Sequence, residues 1–361
     1  MQLNPADAGA LAQIRQAVRQ HIRADALRSM CEAIAQQVEE TSLPFTYAGI
    51  LLASGDRIGD AIEMLRLPPD LPFNQVLADY LEARQDFQPA TTTFQQTAPY
   101  DIWTRTTIYQ NYLDSTLTAF EAFARRTPPP GDQACPTLVD IGPGNGVLLV
   151  AMIKRLHHLY RLDQLEVVLI EQSPQMLQAA ERLCKQSFSF PITVTPVSGK
   201  IEQLSPQGFQ AIEEKKPIWF INASLSLHHM PREIKIRTLT KLASLGAPCF
   251  LADANGNHDS PDQDSPELIY SVTKSYGSVV QDTLGSPLTA EEKKLCIDHF
   301  ILAEAITILG NDRSNRGDYH ALIPEWQAMA HLAGWTVSDL AATSQIGETP
   351  YTFAMQLHPQ L

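Results

Sequence analysis

The chain has 361 residues, 44% of them hydrophobic and 19% charged, so it carries enough apolar side chains for a sizeable core and does not have the composition of a disordered segment. At roughly 100–200 residues per domain, one elaborated domain or two compact ones are expected. Lys and Arg number 27 against 40 Asp and Glu, and the formal charge of −13 argues against general binding to DNA, RNA or an anionic membrane.

Five cysteines, Cys31, Cys135, Cys184, Cys249 and Cys296, are widely spaced and never form CxxC, which reads as reduced thiols in a cytosolic protein. The opening Met1-Gln2-Leu3-Asn4-Pro5 lacks the basic patch and apolar run of a signal peptide. The longest purely apolar run, the seven residues Val147 to Ile153, falls far short of the roughly 20 that cross a bilayer. The expectation is a cytoplasmic protein with no membrane partner and no nucleic-acid partner, its oligomeric state left open, a dimer included.

From Ala10 to Glu40 apolar residues recur at steps of three to five (Leu11, Ile14, Val18, Ile22, then Leu27, Met30, Ile34, Val38), the spacing of a helical face. Similar patterns predict helices at Arg57–Leu67 and Asn74–Ala83, separated by Pro68, Pro69 and Pro72. A polar connector, Gln88–Thr93, leads through Tyr100, Trp103, Tyr109 and Tyr112 to a helix that includes Phe120 and Phe123. The prolines of Thr127–Asp132 are the strongest break in the chain.

Beyond that break, short apolar runs alternate with helical patterns. Strands are expected at Thr137–Ile141, Leu165–Glu171, Ile192–Val197, Ile218–Ala223 and Pro248–Ala254, with helices reaching His158 and Gln186 and another over Pro231–Leu245. Alternation of this kind predicts βαβ units and a parallel sheet. Residues 256–325 are polar and helical in character, and Trp335–Leu340 with Tyr351–Leu357 should close the sheet as an antiparallel pair.

The first apolar run ends in Asp140-Ile141-Gly142-Pro143-Gly144-Asn145-Gly146, where a strand gives way to a helix. Glycines at such a turn let backbone N–H groups approach a ligand above the positive end of the helix. A dinucleotide or S-adenosylmethionine would both suit such a loop. The GxGxG spacing and Asp140 favour the second, because the acid would repel a pyrophosphate but attract an ammonium group. The second run ends in Glu171, at the strand tip where a carboxylate can hold both hydroxyls of a ribose.

This pattern resembles the class I S-adenosylmethionine-dependent methyltransferases over about residues 120–350. The resemblance implies a Rossmann-like α/β fold, a mostly parallel sheet with an antiparallel last strand, and S-adenosyl-L-methionine as cofactor. It places Asp140, Gly142, Gly144, Gly146, Glu171 and Gln172 at the cofactor. Asn222 joins them, because Phe220-Ile221-Asn222-Ala223-Ser224-Leu225-Ser226-Leu227-His228-His229 is similar to the family's fourth-strand end with its Leu-His-His turn. Two departures stand out: Gly146 and Glu171 lie 25 residues apart, several more than usual, and Lys200 occupies a place where many members carry the acid that receives the adenine amino group.

A further likeness is to the GRAS family and its bacterial branch in particular, spanning roughly 98–357. It rests on Asn311-Asp312-Arg313-Ser314-Asn315-Arg316, His320, Trp326 and Ala333-Gly334-Trp335, with Ala98-Pro99-Tyr100, Tyr270 and Tyr276 earlier in the chain. Plant members are transcriptional regulators, whereas bacterial members look like small-molecule methyltransferases. The intact Gly142, Gly144 and Gly146 fit the second kind.

Candidate catalytic groups are His229 and His228, either of which could take a proton from an acceptor or simply shape its loop. Arg313 and Arg316 could clamp a carboxylate or phosphate of a substrate, or pair with Glu304, Asp312 or Asp318. His320 and Tyr276 are further substrate-binding candidates, and Tyr100 could lay an aromatic face on the sulfonium. No metal site is expected, since His157-His158 and His228-His229 are adjacent pairs whose side chains diverge. The expected organisation is a helical cap over 1–115, a cofactor-binding core over 116–255, a helical cap insertion over 256–325 and completing strands over 326–361. The expected function is methyl transfer to a small molecule enclosed between core and cap, the alternative being a non-catalytic GRAS-like ligand-binding or regulatory protein.

Overall fold

A computed structural model of the chain describes residues 1–91, 97–131, 135–215, 217–346 and 349–360. Thr92 and Thr93 of the expected connector, and Asp132 of the proline-rich break, lie outside the described residues. The chain divides into two compact units, one of Met1–Thr93, Ile102–Ile108 and Gly256–Ala321, the other of Phe94–Asp101, Tyr109–Asn255 and Leu322–Leu361.

The first unit opens with α1 (Pro5–Arg19) and α2 (Ala24–Ala35), which split the expected Ala10–Glu40 helix in two. Asn4 caps α1 by accepting from the Asp7 N–H at 2.8 Å, with Pro5 pre-set for the first turn. A helix the periodicity did not predict, α3 (Leu43–Ser54), follows, and every residue in it except Phe45 and Ser54 is buried. A helix wrapped on all sides has no polar face, hence no amphipathic signature. Next come α4 (Ile58–Arg66), α5 (Pro72–Arg84), α6 (Thr97–Trp103) and α7 (Thr107–Arg126).

The second unit is built on a seven-stranded sheet. In chain order, β1 (Thr137–Ile141), α8 (Val147–Tyr160), β2 (Leu165–Glu171), α9 (Pro174–Gln186), β3 (Ile192–Ser198), α10 (Pro206–Glu213), β4 (Ile218–Ser224), α11 (Arg232–Ala243) and β5 (Cys249–Ala254) alternate. β1 is buried along its whole length, as expected of a parallel strand covered on both faces. β3 lies at the sheet edge and carries Pro196, which cannot donate to a ladder on both sides.

Gly256–Ala321 belongs to the first unit and forms α12 (Pro266–Gly285), α13 (Ala290–Cys296) and α14 (Leu302–Gly310), the last two joined by a π-helical turn at Ile297–Ile301. The second unit then resumes with α15 (Ile323–Leu332), β6 (Trp335–Ile346) and β7 (Thr349–Pro359). The sheet order is β3-β2-β1-β4-β5-β7-β6, with β7 antiparallel to both β5 and β6 and the pairings among β1 to β5 parallel. This is the expected Rossmann-like methyltransferase sheet, mostly parallel with an antiparallel last strand. Strands β6 and β7 are longer than predicted and form one extended hairpin.

The sheet unit takes in α7 from Tyr109 onward, for a packing reason. Phe120 and Phe123 of α7 meet Phe220 of β4 and Phe250 of β5 with ring centroids 5.4 to 5.7 Å apart. Such a cluster buries large areas of aromatic surface and anchors the helix to the sheet. The resumption at Leu322 has an equally local cause, because the Ile323 N–H donates to Asn255 Oδ1 at 3.0 Å.

Candidate active site

Parallel pairing of β1 with β4 sets Asp140 beside Asn222. Asn222 Nδ2 donates to Asp140 Oδ1 at 2.7 Å, and Ser224 Oγ donates to Asn222 Oδ1 at 2.8 Å. Asp140 is buried, and its second carboxylate oxygen, Oδ2, has no hydrogen-bond partner among the described residues. Burial pushes its carboxyl up to about 7; the Asn222 amide opposes that rise and the nearby Glu171 charge adds to it.

The loop after β1 is shaped by two close approaches. A Cβ at Gly142 would lie 2.6 Å from Ser226 Cβ, and one at Gly146 would lie 2.8 Å from the Ala180 Cα of α9; both glycines have positive φ. Gly144 is held differently: a methyl there would meet the Tyr100 hydroxyl at 3.4 Å. Asn145 ties the loop down, with Nδ2 donating to Asp101 Oδ1 at 2.9 Å and Oδ1 accepting from the Val147 N–H at 3.2 Å.

Glu171 lies at the tip of β2, largely buried, and accepts from the Gly144 N–H at 3.4 Å and the Ser173 N–H at 2.8 Å. Burial raises its carboxyl above the usual range, while those N–H groups and the nearby His229 oppose the rise. Asp140, Gly142, Gly144, Gly146, Glu171, Asn222 and Tyr100 thus gather around one end of the parallel strands. Gln172 follows Glu171 with an exposed side chain, and Lys200 is exposed just past the end of β3.

Leu225, in a left-handed conformation, and Ser226 turn the chain out of β4 into a 3₁₀ turn at Leu227–His229. His228 is buried there, with Nδ1 2.9 Å from Asp253 Oδ1, and its ring centroid lies 4.2 Å from that of the half-buried His229. Asp253 Oδ1 also accepts from the Ala254 N–H at 2.7 Å. Asp253 was not singled out in the sequence, although it ends the apolar run of β5 much as Glu171 ends that of β2.

The remaining candidates lie in the helical unit. Arg313 donates from Nε to the Asp259 carbonyl at 2.7 Å and from Nη2 to Asp259 Oδ1 at 2.8 Å. Arg316 is buried and donates to the carbonyls of His258 and Pro261 at 2.7 and 2.8 Å. Both arginines brace the loop after Asn255. His320 and Tyr276 are buried in the same unit, each beside His258, with ring centroids 5.1 and 6.2 Å from its ring.

No protein-family model and no curated protein matches the chain. Among solved structures, SCL7 from Oryza sativa is similar with a TM-score of 0.66 at 14% identity, covering 99% of this chain and 100% of that one. Magnesium protoporphyrin IX methyltransferase from Synechocystis PCC 6803 aligns at 13% identity with a TM-score of 0.43, over 79% of this chain and 98% of that one. The likeness to the Oryza sativa structure is one of fold, and it extends through both units of the chain.

Proposed function

We propose that the chain is an S-adenosylmethionine-dependent methyltransferase acting on a small-molecule acceptor. The observation that carries this reading is the convergence of an open glycine loop, the Glu171 carboxylate and a buried Asp140 oxygen with no partner among the described residues. These groups fit the cofactor: Asp140 Oδ2 would accept from its ammonium group, the loop N–H groups would face its carboxylate, and Glu171 with Gln172 would hold the ribose hydroxyls. Tyr100 would line the loop on the side of Gly144. Asn222 positions the Asp140 carboxylate. When bound, the cofactor supplies an electrophilic methyl group on a sulfonium.

For an acceptor that must lose a proton, His228 is the base. Asp253 holds the proton on Nδ1, which puts the lone pair of the neutral ring on Nε2, and fixes the ring's orientation. His229 flanks this pair and tempers the charge of Glu171. In the helical unit, Arg313 and Arg316 hold the loop of residues 256–261, and Tyr276 and His320 lie beside His258 of that loop.

Calorimetry with S-adenosylmethionine and its demethylated product tests the reading: both should bind, and Glu171→Ala should weaken each at least tenfold while leaving the circular dichroism spectrum unchanged. No heat of binding from well-folded protein would overturn it. The exposed Lys200 favours a second reading, a non-catalytic ligand-binding or regulatory protein on the same scaffold. Methyl-labelled cofactor mixed with metabolite extract separates the two, since transferred label supports the enzyme and binding without transfer supports the regulator.

A further inference from the structure

Asn222 and Ser224 alternate with Ala223 on β4, so their side chains leave the same face of the sheet as Phe220, the face that α7 covers with Phe120 and Phe123. Asp140 joins them because β1 pairs with β4 in register at Asn222. The three side chains form a line of hydrogen bonds: Ser224 Oγ donates to Asn222 Oδ1 at 2.8 Å, and Asn222 Nδ2 donates to Asp140 Oδ1 at 2.7 Å. All three residues are buried. From α7, Tyr112 and Thr116 bring buried hydroxyls to the same place, that of Tyr112 close to those of Thr116 and Ser224. Burial holds the Tyr112 phenol well above its usual range, with Tyr109 and Asp253 adding to the rise and the Thr116 and Ser224 hydroxyls opposing it, so no phenolate stands there to draw off the Ser224 proton. Asp253 of β5 is engaged by His228 and the Ala254 N–H.

We infer that Ser224 is a positioning residue for the cofactor site: its hydroxyl locks the Asn222 amide with the NH₂ end towards Asp140, and so presents Asp140 to the cofactor's ammonium group as an acceptor. The inference rests on the methyltransferase reading above. An amide has a donor end and an acceptor end, whereas an ionised carboxylate only accepts. Which end Asn222 turns to Asp140 therefore decides which form of the acid it holds. The Ser224 proton has its acceptor in Asn222 Oδ1, and with the amide turned over two donors would face each other. Without that proton the amide turns freely. Its oxygen can then face Asp140, which satisfies it only by carrying a proton, and a protonated acid has lost the charge that attracts an ammonium group. Asp140 is open to this exchange, because burial pushes its carboxyl up to about 7, with the Asn222 amide opposing the rise and the Glu171 charge adding to it. Glu171 faces it from β2 and Cys184 from α9; burial and the Asp140 charge hold that thiol up at about 12, so it stays neutral. His229 acts in turn on Glu171.

The test needs no methyl acceptor. Aspartate labelled with ¹³C at its carboxyl in the full chain reports the Asp140 titration, and Asp140→Asn assigns the signal. In Ser224→Ala the titration should move up by about one pH unit, the worth of one hydrogen bond to a charged group. In Ser224→Thr, which keeps the hydroxyl, it should stay with the wild type. Calorimetry with the demethylated cofactor should show Ser224→Ala binding about five- to tenfold more weakly than wild type at pH 6.5, but less than about twofold more weakly at pH 8.5, where Asp140 is mostly ionised in both proteins. A loss of packing alone would weaken binding equally at both pH values. In an Asn222→Ala background, Ser224→Ala should add nothing to either shift. If Ser224→Ala fails to fold, Ser224→Cys, close in size and a weaker donor, takes its place with a smaller shift in the same direction. An unmoved titration, equal weakening at both pH values or a further shift in the double variant overturns the inference. The two proposals fail separately: a moved titration in protein that binds no cofactor keeps the lock of Ser224 on Asn222 and removes the methyltransferase, whereas cofactor binding with an unmoved titration does the reverse.

Discussion

Asp140 accepts from Asn222 at one carboxylate oxygen, the other is buried with no partner among the described residues, and its carboxyl is pushed up to about 7. Because the folded state holds that proton more tightly than an unfolded chain, whose aspartates titrate near 3.9, the resulting stability is fully present below about pH 4 and is lost as pH rises through about 7. The loss approaches about 1.4 kcal/mol per pH unit across that window. Asp140→Asn removes the titration while keeping an acceptor for Asn222. Its melting temperature relative to wild type should therefore climb between pH 5 and pH 8, and its cofactor affinity should drop at least tenfold at both; a difference in melting temperature that stays flat with pH would show that Asp140 is already ionised in the folded protein. Asp140 and Glu171 were legible in the sequence because each ends an apolar run next to a loop with recognisable spacing. Asp253 has the same local mark without a glycine loop behind it, and the backbone of His258 is held by Arg316, some 58 residues away, and by the His320 carbonyl, a relation no local pattern encodes.

Among the elements, the two helices flanking the glycine loop depend on close backbone approach. At Gly146, φ is +85° and an added Cβ would lie 2.8 Å from the α9 backbone; at Gly144, φ is +55° and the nearest atom is a tyrosine hydroxyl at 3.4 Å. Gly146→Ala should cost about 2–4 kcal/mol, combining positive-φ strain with overpacking, and Gly144→Ala about 1 kcal/mol. Urea denaturation of the two variants checks the order, and equal costs would mean that α8 and α9 yield freely. In the helical unit, Arg316→Met removes both donors to the carbonyls of the 256–261 loop and should cost about 2–4 kcal/mol, against about 1 kcal/mol for the more exposed ion pair lost in Arg313→Ala. Hydrogen exchange should quicken at the amides of Asn257, His258 and Asp259 in the Arg316 variant. The parallel strands were readable as short apolar runs because both faces are buried, and α1, α2, α4 and α5 as amphipathic stripes. α3 gave no such signal, its surroundings being apolar on every side.

For the whole molecule, neither unit is a continuous stretch of chain, since each gathers three segments. A chain cut to residues 109–255 would retain β1 to β5 but leave β5 as a bare edge, because β7 pairs with it from Cys249↔Leu357 to Ala254↔Thr352. An open edge of that length, flanked by the buried Phe250 and Leu251, favours association between chains. That truncated chain should aggregate. Joining Asn255 to Leu322 through a short glycine-serine linker, with residues 256–321 removed, should be tolerated far better: Asn255 Oδ1 already accepts from the Ile323 N–H at 3.0 Å, and its own N–H reaches the Tyr351 carbonyl at 2.8 Å, so the cut ends are held side by side by the sheet unit itself. The linked chain should keep the cooperative transition of the sheet unit and still bind S-adenosylmethionine, while α1 to α5, deprived of α12 and α14, should lose their protection from hydrogen exchange. A linked chain that binds no cofactor while unfolding cooperatively would move part of the cofactor site out of the sheet unit, and one that never folds would make the helical unit a necessary partner in folding.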